Sequence, residues 1–181
     1  SQIELRVLSH IAKDETMIEA FKNDEDIHKQ VASKVFGVPM SKVTKEQRSR
    51  AKAVNFGIIY GITAFGLSQQ LKIGRKEDQN YIDNYLKKYS GIKTFMEDIV
   101  NKAKEEGYVE TLFGRRRYVP ELKSNNYVVR QFGTRVAMNT PIQGTAADIM
   151  KIAMNKVFDG IKNLDAKVVL QVHDELVLEV K

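Results

Sequence analysis

Residues 48–61 read RSRAKAVNFGIIYG, and in this stretch Arg48, Lys52, Phe56 and Tyr60 recur at every fourth position. Residues four apart lie on one face of an α-helix, so the spacing predicts a helix that carries two cations and then two aromatic rings along one stripe. A nucleoside triphosphate presents phosphates to such cations and a sugar and base to such rings. An exposed basic turn that leads into an aromatic core is the structural alternative.

Positive charge is concentrated around this stretch and one other. Residues 42–76 hold eight Lys and Arg against one acid, and residues 111–147 hold six against one, within a net charge of +6. The rest of the chain is therefore acidic overall, and the two basic segments suit surfaces that face a polyanion such as nucleic acid. Two solvated basic faces would give the same counts, so charge alone leaves both interpretations open.

The composition indicates a water-soluble chain with one sizeable core, or one compact domain with part of a second packed against it. The chain has 181 residues, of which 43% are hydrophobic, and it contains no cysteine. Neither a disulfide nor a cysteine-based zinc site can form, so a reducing compartment such as the cytoplasm is expected. The longest mainly apolar stretch, residues 56–66, is too short and too rich in glycine to span a bilayer, and the first ten residues lack the basic start of a signal peptide.

Apolar residues at three-to-four spacing predict helices over most of the first two-thirds of the chain. The predicted segments lie near residues 2–12, 15–22, 26–36, 44–60, 64–72, 76–89 and 92–106. Thr44, with Gln47 three residues later, has the pattern of a capping box where the striped segment begins. A further helical segment, from about residue 126 to 162, contains Pro141 and Gly144, which predict two helices or a kinked one.

The pattern changes near Tyr108, and strands are expected from there onward. Two short strands are predicted around Gly114. The segments AKVVLQV and ELVLEV, at residues 166–172 and 175–180, predict a hairpin with polar side chains at its tip. The fold class is therefore α+β, with a small antiparallel sheet beside a mostly helical layer.

The tip of this hairpin lies in QVHDELV, residues 171–177, and it places two adjacent acids between apolar strands. Mg²⁺ prefers carboxylate oxygens, and phosphoryl transfer commonly uses two such ions. Asp174 is the better candidate for a metal ligand. Neighbouring side chains on a strand or tight turn point in different directions, so Asp174 and Glu175 are not expected to share one metal equally. An ordinary solvated turn is the alternative.

Two other stretches carry polar side chains in informative positions. In TRVAMNTPIQGTAADIM, residues 134–150, the side chains of Arg135, Asn139 and Gln143 are four apart and could follow a nucleic-acid groove or backbone, although a polar helix surface gives the same pattern. Near the start, Glu4 and Arg6 lie in an apolar helical pattern, where charged groups need partners. A buried ion pair would explain them without a function.

Taken together, these segments resemble the family A DNA polymerases over essentially the whole chain. SQIELR is similar to the family's motif A after its leading Asp-Tyr, RSRAKAVNFGIIYG to motif B, and QVHDE to motif C. FGRRRYVPE and RVAMNTPIQGTAADIMK are also similar to this family. The resemblance implies part of a palm at residues 1–24, a fingers subdomain at 25–106 and further palm at 107–181. Phe56 and Gly57 follow the DNA polymerase pattern rather than that of the related single-subunit RNA polymerases.

The resemblance also implies roles for individual residues. Lys52 would bind the triphosphate and protonate the leaving pyrophosphate, and Glu4, bonded to Tyr60, would exclude a 2′-hydroxyl. Asp174 would bind Mg²⁺, and Asp174, Glu175 and Lys52 would form the catalytic set. The residues implied to contact the deoxynucleoside triphosphate are Gln2, Glu4, His28, Arg48, Lys52, Phe56 and Tyr60. Those implied to contact primer-template DNA are Arg6, Thr63, Phe65, Arg135, Asn139, Gln143 and His173.

One element of the family pattern falls outside the sequence. The motif A aspartate would stand two residues before Ser1, and with Asp174 it would hold the metal ions. The chain by itself is therefore expected to bind metal weakly and to have little or no activity. A nucleic-acid or nucleotide-binding module without catalysis is the alternative to a polymerase.

Overall fold

The first half of the chain is built from short helices with well-defined starts. The structure is a computed structural model that describes residues 2–61 and 75–181. Helices α1 to α4 span Ile3–Ile11, Glu15–Lys22, Ile27–Val35 and Lys45–Ile59, with a 3₁₀ turn at Met40–Lys42 before α4. The predicted segment near 64–72 lies outside the described residues.

Side-chain caps determine where three of these helices begin. Asp14 accepts a hydrogen bond from the Met17 N–H at 3.0 Å at the start of α2, and Asp26 has the same role in α3. At the start of α4, the Thr44 N–H donates to Gln47 Oε1 at 3.0 Å and the Gln47 N–H donates to Thr44 Oγ1 at 3.2 Å. This reciprocal pair is the predicted capping box, which is confirmed.

The second half contains longer helices and the strands. Helices α5, α6 and α7 span Arg75–Lys88, Ser90–Glu106 and Tyr127–Gly160, with a 3₁₀ turn at Pro120–Lys123. Strands β1, Tyr108–Glu110, and β2, Arg116–Tyr118, form one antiparallel pair. Strands β3, Ala166–Val172, and β4, Glu175–Val180, form the other, with a register shift between Val168 and Leu170. The α+β class and both predicted hairpins are confirmed.

Of the two alternatives predicted for the 126–162 segment, two helices or a kinked one, the first is excluded, because α7 continues through both Pro141 and Gly144. A proline inside a helix removes one backbone hydrogen bond and costs about 3 kcal/mol. Here Thr140, Pro141 and Ile142 are all buried, so packing of the helix offsets that cost. Gly144 is present for another reason: a Cβ atom there would lie 2.6 Å from Thr111 Cγ2, at the β1–β2 turn.

Two clusters of buried side chains form the interior. The first joins α1 to α6 and includes Leu5, Leu8, Met17, Val31, Val54, Tyr89 and Ile92. The second lies under the β1–β2 hairpin and includes Val100, Ala103, Val109, Val119, Leu122, Val136 and Ala137. Helix α7 contributes to both, because Ile142 belongs to the first cluster and Val136 and Ala137 to the second.

The β3–β4 hairpin lies outside both clusters. Apolar side chains on it are largely exposed, with Leu170 at 54% and Val180 at 70%. Within the described residues, the hairpin meets α1 and α7 at its tip, where it lines a groove with them.

Among the helices of residues 2–61 and 75–181, none combines the length and hydropathy needed to cross a lipid bilayer.

Candidate nucleotide-binding site

Helix α4 presents the predicted stripe on one side. Its other side is buried through Ala51, Val54 and Asn55. On the stripe, Lys52 is exposed, and the rings of Phe56 and Tyr60 are stacked, with centroids 5.9 Å apart and an interplanar angle of 27°. The helix thus holds a cationic end and an aromatic end in the order that the sequence predicts.

Arg48, the first cation of the stripe, is held by Asp26. Arg48 Nε donates to Asp26 Oδ2 at 2.6 Å, while Asp26 Oδ1 accepts from the Lys29 N–H at 3.0 Å and so caps α3. Partial burial alone would raise the pKa of Asp26, but the Arg48 hydrogen bond, the Lys29 N–H and nearby positive charge outweigh it and hold that pKa below its ordinary value. Asp26 is therefore negatively charged and forms a salt bridge with Arg48.

His28 lies two residues after this cap and is almost fully buried against α4. Asn55 Nδ2 donates to His28 Nδ1 at 2.9 Å, so the ring carries its proton on Nε2. Burial and the positive charge of Arg48 lower the pKa of His28 to about 4. Its ring centroid is 5.9 Å from that of Phe56. A neutral imidazole with one available N–H donor therefore lies beside the stripe.

The aromatic end of the stripe is joined to α1. The Tyr60 hydroxyl donates to Glu4 Oε2. Burial and the Glu4 carboxylate raise the pKa of Tyr60 to about 12, so the phenol keeps its proton. This contact joins residues 56 positions apart in the sequence. Glu4 is therefore paired with Tyr60 and does not form an ion pair with Arg6, which was the alternative explanation for these two charged residues.

A close backbone approach holds the end of α4 against α7. Gly61 has φ of +67°, and a Cβ atom on it would lie 2.5 Å from Met138 Cε and 3.1 Å from Arg135 Cγ. The positive φ is what favours glycine there, because the end of the flexible Met138 side chain could move away from a Cβ atom. The α4 stripe and the polar residues of α7 are thus parts of one surface.

A groove of about 460 Å³ connects this surface to the tip of the β3–β4 hairpin. Its walls include Glu4, Gln143, His173 and Asp174. His173 has φ of +52° in the two-residue turn, and its carbonyl accepts a hydrogen bond from Gln171 Nε2 at 3.1 Å. The structure therefore brings together predicted residues from α1, α7 and the hairpin.

Asp174 is exposed to this groove, whereas the exposed Glu175 is not among the residues that line it. That the two acids do not share one metal equally stays a prediction. In residues 2–61 and 75–181 no three His, Cys, Asp or Glu side chains form a group able to hold a metal ion. Asp174 fits as one ligand of a divalent cation, but the described residues do not make a complete site.

The residues predicted to contact DNA have different environments. Arg6 donates to Gln2 Oε1 at 3.4 Å and packs over the Phe21 ring. On α7, Arg135 contacts Gly61, and Asn139 Oδ1 is buried with no hydrogen-bond partner in the described part of the chain. Thr63 and Phe65 lie outside the described residues, so their placement is not tested.

The sequence did not predict the roles of two polar residues of the site, Asp26 and Asn55. Asp26 has a recognisable local signal, because an acid immediately before an apolar helical segment is a preferred cap, but its bond to Arg48 has none. Asn55 offers a weaker signal, as a polar side chain on the apolar side of the striped helix. Its partner, His28, is 27 positions away.

Comparison with known proteins explains why these residues occur together. The sequence profile of DNA polymerase family A matches residues 1–181, the whole chain. The chain belongs to DNA polymerase family A. Family A relatives include DNA polymerase I of Bacillus subtilis, 58% identical over 99% of this chain, and that of Pseudomonas aeruginosa, 54% identical over the whole of it.

A solved family A structure has the same fold. It is the POL domain of Pol1 from M. smegmatis in complex with DNA primer-template and dNTP, with a TM-score of 0.94, 47% sequence identity and coverage of 99% of this chain and 32% of that one. The chain spans about a fifth of the length of the curated relatives, 21% of the Bacillus subtilis protein and 20% of the Pseudomonas aeruginosa protein. The match therefore covers one part of a family A polymerase.

Proposed function

We propose that this chain is the nucleotide-binding and catalytic part of a template-directed DNA polymerase that acts in DNA replication and repair. The primer 3′-hydroxyl attacks the α-phosphorus of a deoxynucleoside triphosphate, and pyrophosphate leaves. The arrangement of α4 carries this proposal, since its cations and stacked rings lead into the groove that Glu4, Gln143 and Asp174 line. Family membership and the ligands named for the M. smegmatis structure support it.

In this proposal the stripe binds the nucleotide from phosphate to base. Arg48 and Lys52 contact the phosphates, and the Nε2–H of His28 donates to them without adding a positive charge. Lys52 also supplies a proton to the leaving pyrophosphate. Phe56 contacts the sugar and Tyr60 the base-pair site. Gln2 and Glu4 line the sugar pocket.

The DNA contacts are proposed along the remaining sides of the groove. Arg6 and His173 contact the primer, whereas the template and minor groove are contacted by Thr63, Phe65, Arg135, Asn139 and Gln143. Family A polymerases use divalent metal ions; we propose Mg²⁺, which when bound would lower the pKa of the attacking hydroxyl and stabilise charge on the leaving group. Asp174 would hold it, with Glu175 nearby. The fingers and palm boundaries and the cytoplasmic location stay predictions.

Primer extension by a chimaera tests the proposed function. In the chimaera, this chain replaces the matching 21% of Bacillus subtilis DNA polymerase I. We expect Mg²⁺-dependent extension directed by the template, and nucleotide binding by the 181-residue chain alone. A folded chimaera that binds nucleotide but does not extend a primer would instead favour the non-catalytic alternative.

Removal of the Glu4 carboxylate tests the sugar gate. Glu4 is bonded to the Tyr60 hydroxyl, and in this proposal its side chain fills the space beside the sugar of the bound nucleotide. In the chimaera, Glu4→Ala should reduce discrimination against ribonucleotides on the order of 10- to 100-fold, measured as the ratio of kcat/KM for dNTP and NTP. Glu4→Gln is the matched control, since it keeps the size and the acceptor for Tyr60. Equal discrimination in the alanine variant and the parent would remove the steric role.

Neutralisation of Asp26 tests its competition with the triphosphate. Asp26→Asn keeps the helix cap, because asparagine caps as well as aspartate, but it removes the charge that holds Arg48. We expect the KM for dNTP to fall severalfold as Arg48 becomes available to phosphate. Asp24→Asn is the control, since Asp24 is exposed in the same loop with φ of +54° and asparagine tolerates that conformation. A rise in KM for Asp26→Asn would mean that Asp26 positions Arg48 for phosphate rather than competing for it.

A further inference from the structure

The turn of the β1–β2 hairpin is bonded to the middle of α7. The Leu112 N–H donates to Thr145 Oγ1 at 3.0 Å. Arg115 bridges to the same part of the helix, since its Nη2 donates to the Gly144 carbonyl at 3.0 Å and its Nε donates to Asp148 Oδ1 at 2.9 Å. The proposed polymerase reaction gives no role to any of these residues.

The residues of α7 that bond the hairpin lie on the opposite side of the helix from those that line the groove. An α-helix turns by about 100° per residue, so positions 144, 145 and 148 are centred about 160° round the axis from the groove-lining positions. The groove-lining residues of this helix are Gln143, Ala146, Ala147 and Met150. The hairpin therefore supports, from behind, the part of α7 that forms one wall of the groove.

This part of α7 is intrinsically weak as a helix. Pro141 has no N–H, so the helix lacks one backbone hydrogen bond here. Gly144 also disfavours a helix, but a Cβ atom there would lie 2.6 Å from Thr111 Cγ2 and 3.3 Å from Arg115 Nη2. The glycine that weakens the helix thus permits the hairpin to approach it. Gln143 lies between these two weak positions and depends on the contact with the hairpin.

The Arg115 bridge, which consists of its bonds to Gly144 and Asp148, differs from an ordinary surface ion pair. The Asp148 side chain is only 12% exposed, and among the described residues its Oδ2 has no hydrogen-bond partner. A largely buried carboxylate needs a paired cation, and the planar guanidinium of Arg115 supplies it. Arg116 has the same side-chain exposure, 53%, but pairs with Glu110 of its own hairpin at 2.7 Å. Arg116 is therefore an internal comparison.

We propose that Arg115 and Asp148 are positioning residues that hold Gln143 against the minor groove of the primer-template duplex. The inference rests on the proposed function, which assigns Gln143 to that DNA. The minor groove presents acceptors at similar places in correctly formed base pairs, so an amide donor held in a fixed place distinguishes a paired primer end from a mispaired one. Loss of the Arg115 bridge loosens the turn that carries Gln143 and weakens this distinction.

Extension from matched and mispaired primer ends by the chimaera tests this role. Arg115→Ala should reduce the ratio of kcat/KM for matched over mispaired ends about fivefold to tenfold, while the KM for dNTP stays within about twofold of the parent. Asp148→Asn keeps an acceptor for Arg115 and should cause a smaller loss. Arg116→Ala is the matched control and should leave the ratio unchanged.

A double-mutant cycle separates action through Gln143 from a direct effect of Arg115. In a Gln143→Ala background, Arg115→Ala should change the ratio less than about twofold, because the side chain that the bridge positions is gone. The proposal would be overturned by a full effect of Arg115→Ala in that background, or by no effect of Arg115→Ala in the parent.

Hydrogen exchange of the 181-residue chain tests the Arg115 bridge apart from catalysis. Arg115→Ala should speed exchange of the backbone amides at positions 142–149 about threefold or more, and Arg116→Ala should not. Unchanged exchange in Arg115→Ala would overturn the positioning role even if the chimaera extends a primer. Faster exchange together with a chimaera that extends no primer would instead locate the failure in the proposed function.

Discussion

Asp174→Asn is expected to reduce primer extension on the order of a thousandfold or more, equivalent to about 4 kcal/mol of transition-state stabilisation. Asparagine has the shape of aspartate but lacks the negative charge that a divalent cation requires. Asp174 is exposed at the tip of the β3–β4 turn, so the exchange leaves the fold unchanged. The effect should therefore appear in kcat and not in stability.

Single-turnover extension by the chimaera, together with thermal unfolding, measures this effect. Glu179→Gln is the matched control, because it removes a carboxylate from the same hairpin, where Glu179 pairs with Lys167 at 2.9 Å on the surface. Exposed pairs of this kind contribute little, so we expect less than a twofold change. A similar loss in both variants would show that the hairpin responds to charge in general. If the Asp174→Asn variant were as active as its parent, the proposal that Asp174 binds the metal would be wrong.

Lys52→Ala is expected to reduce kcat by about a hundredfold and to raise the KM for dNTP to a smaller extent. Lys52 is exposed on the α4 stripe, and no salt bridge occupies it within the described ranges. Its ammonium is therefore free to act on a phosphate. Arg50→Ala is the control, because Arg50 lies off the stripe on the same helix and pairs with Glu46 at 2.6 Å.

The leaving group distinguishes the two roles of Lys52. Nucleotide analogues with a more acidic bisphosphonate in place of pyrophosphate need less protonation when they leave. If Lys52 supplies that proton, the loss in Lys52→Ala should shrink as the leaving group becomes more acidic. An equal loss with every analogue would restrict Lys52 to phosphate binding, and unchanged dNTP binding would contradict that role as well.

Local sequence signals predicted most of the fold. Helix periodicity and the Thr44 and Gln47 pair placed α4 to within a residue or so, since both depend on neighbours within one turn. For α7, the local propensities of Pro141 and Gly144 left two helices and one kinked helix as alternatives, and the structure has one helix. Burial of Pro141 and the contact of Gly144 with the β1–β2 turn depend on distant segments, which periodicity does not contain.

For the site, too, features within one helix could be predicted from the sequence, whereas contacts between distant segments could not. The stripe on α4 could be predicted because its four members share one helix. The bond from Tyr60 to Glu4 entered through resemblance to the family, and the bonds from Asp26 to Arg48 and from Asn55 to His28 were missed. Each joins two helices whose relative positions are determined by packing. The type of a buried polar side chain predicts that it needs a hydrogen-bond partner, but it does not predict which residue that partner is.

Helix α7 also makes the two buried clusters thermodynamically dependent on each other. It supplies Ile142 to one and Val136 and Ala137 to the other, within two turns of the same rigid element. Unfolding of either cluster would displace the part of α7 that packs into the other cluster. We therefore expect the two clusters to unfold as one cooperative unit. The β3–β4 hairpin, which packs into neither, is outside that unit. Within the described residues, Asp174, the proposed metal ligand, therefore lies on a segment outside the cooperative unit to which α4 belongs.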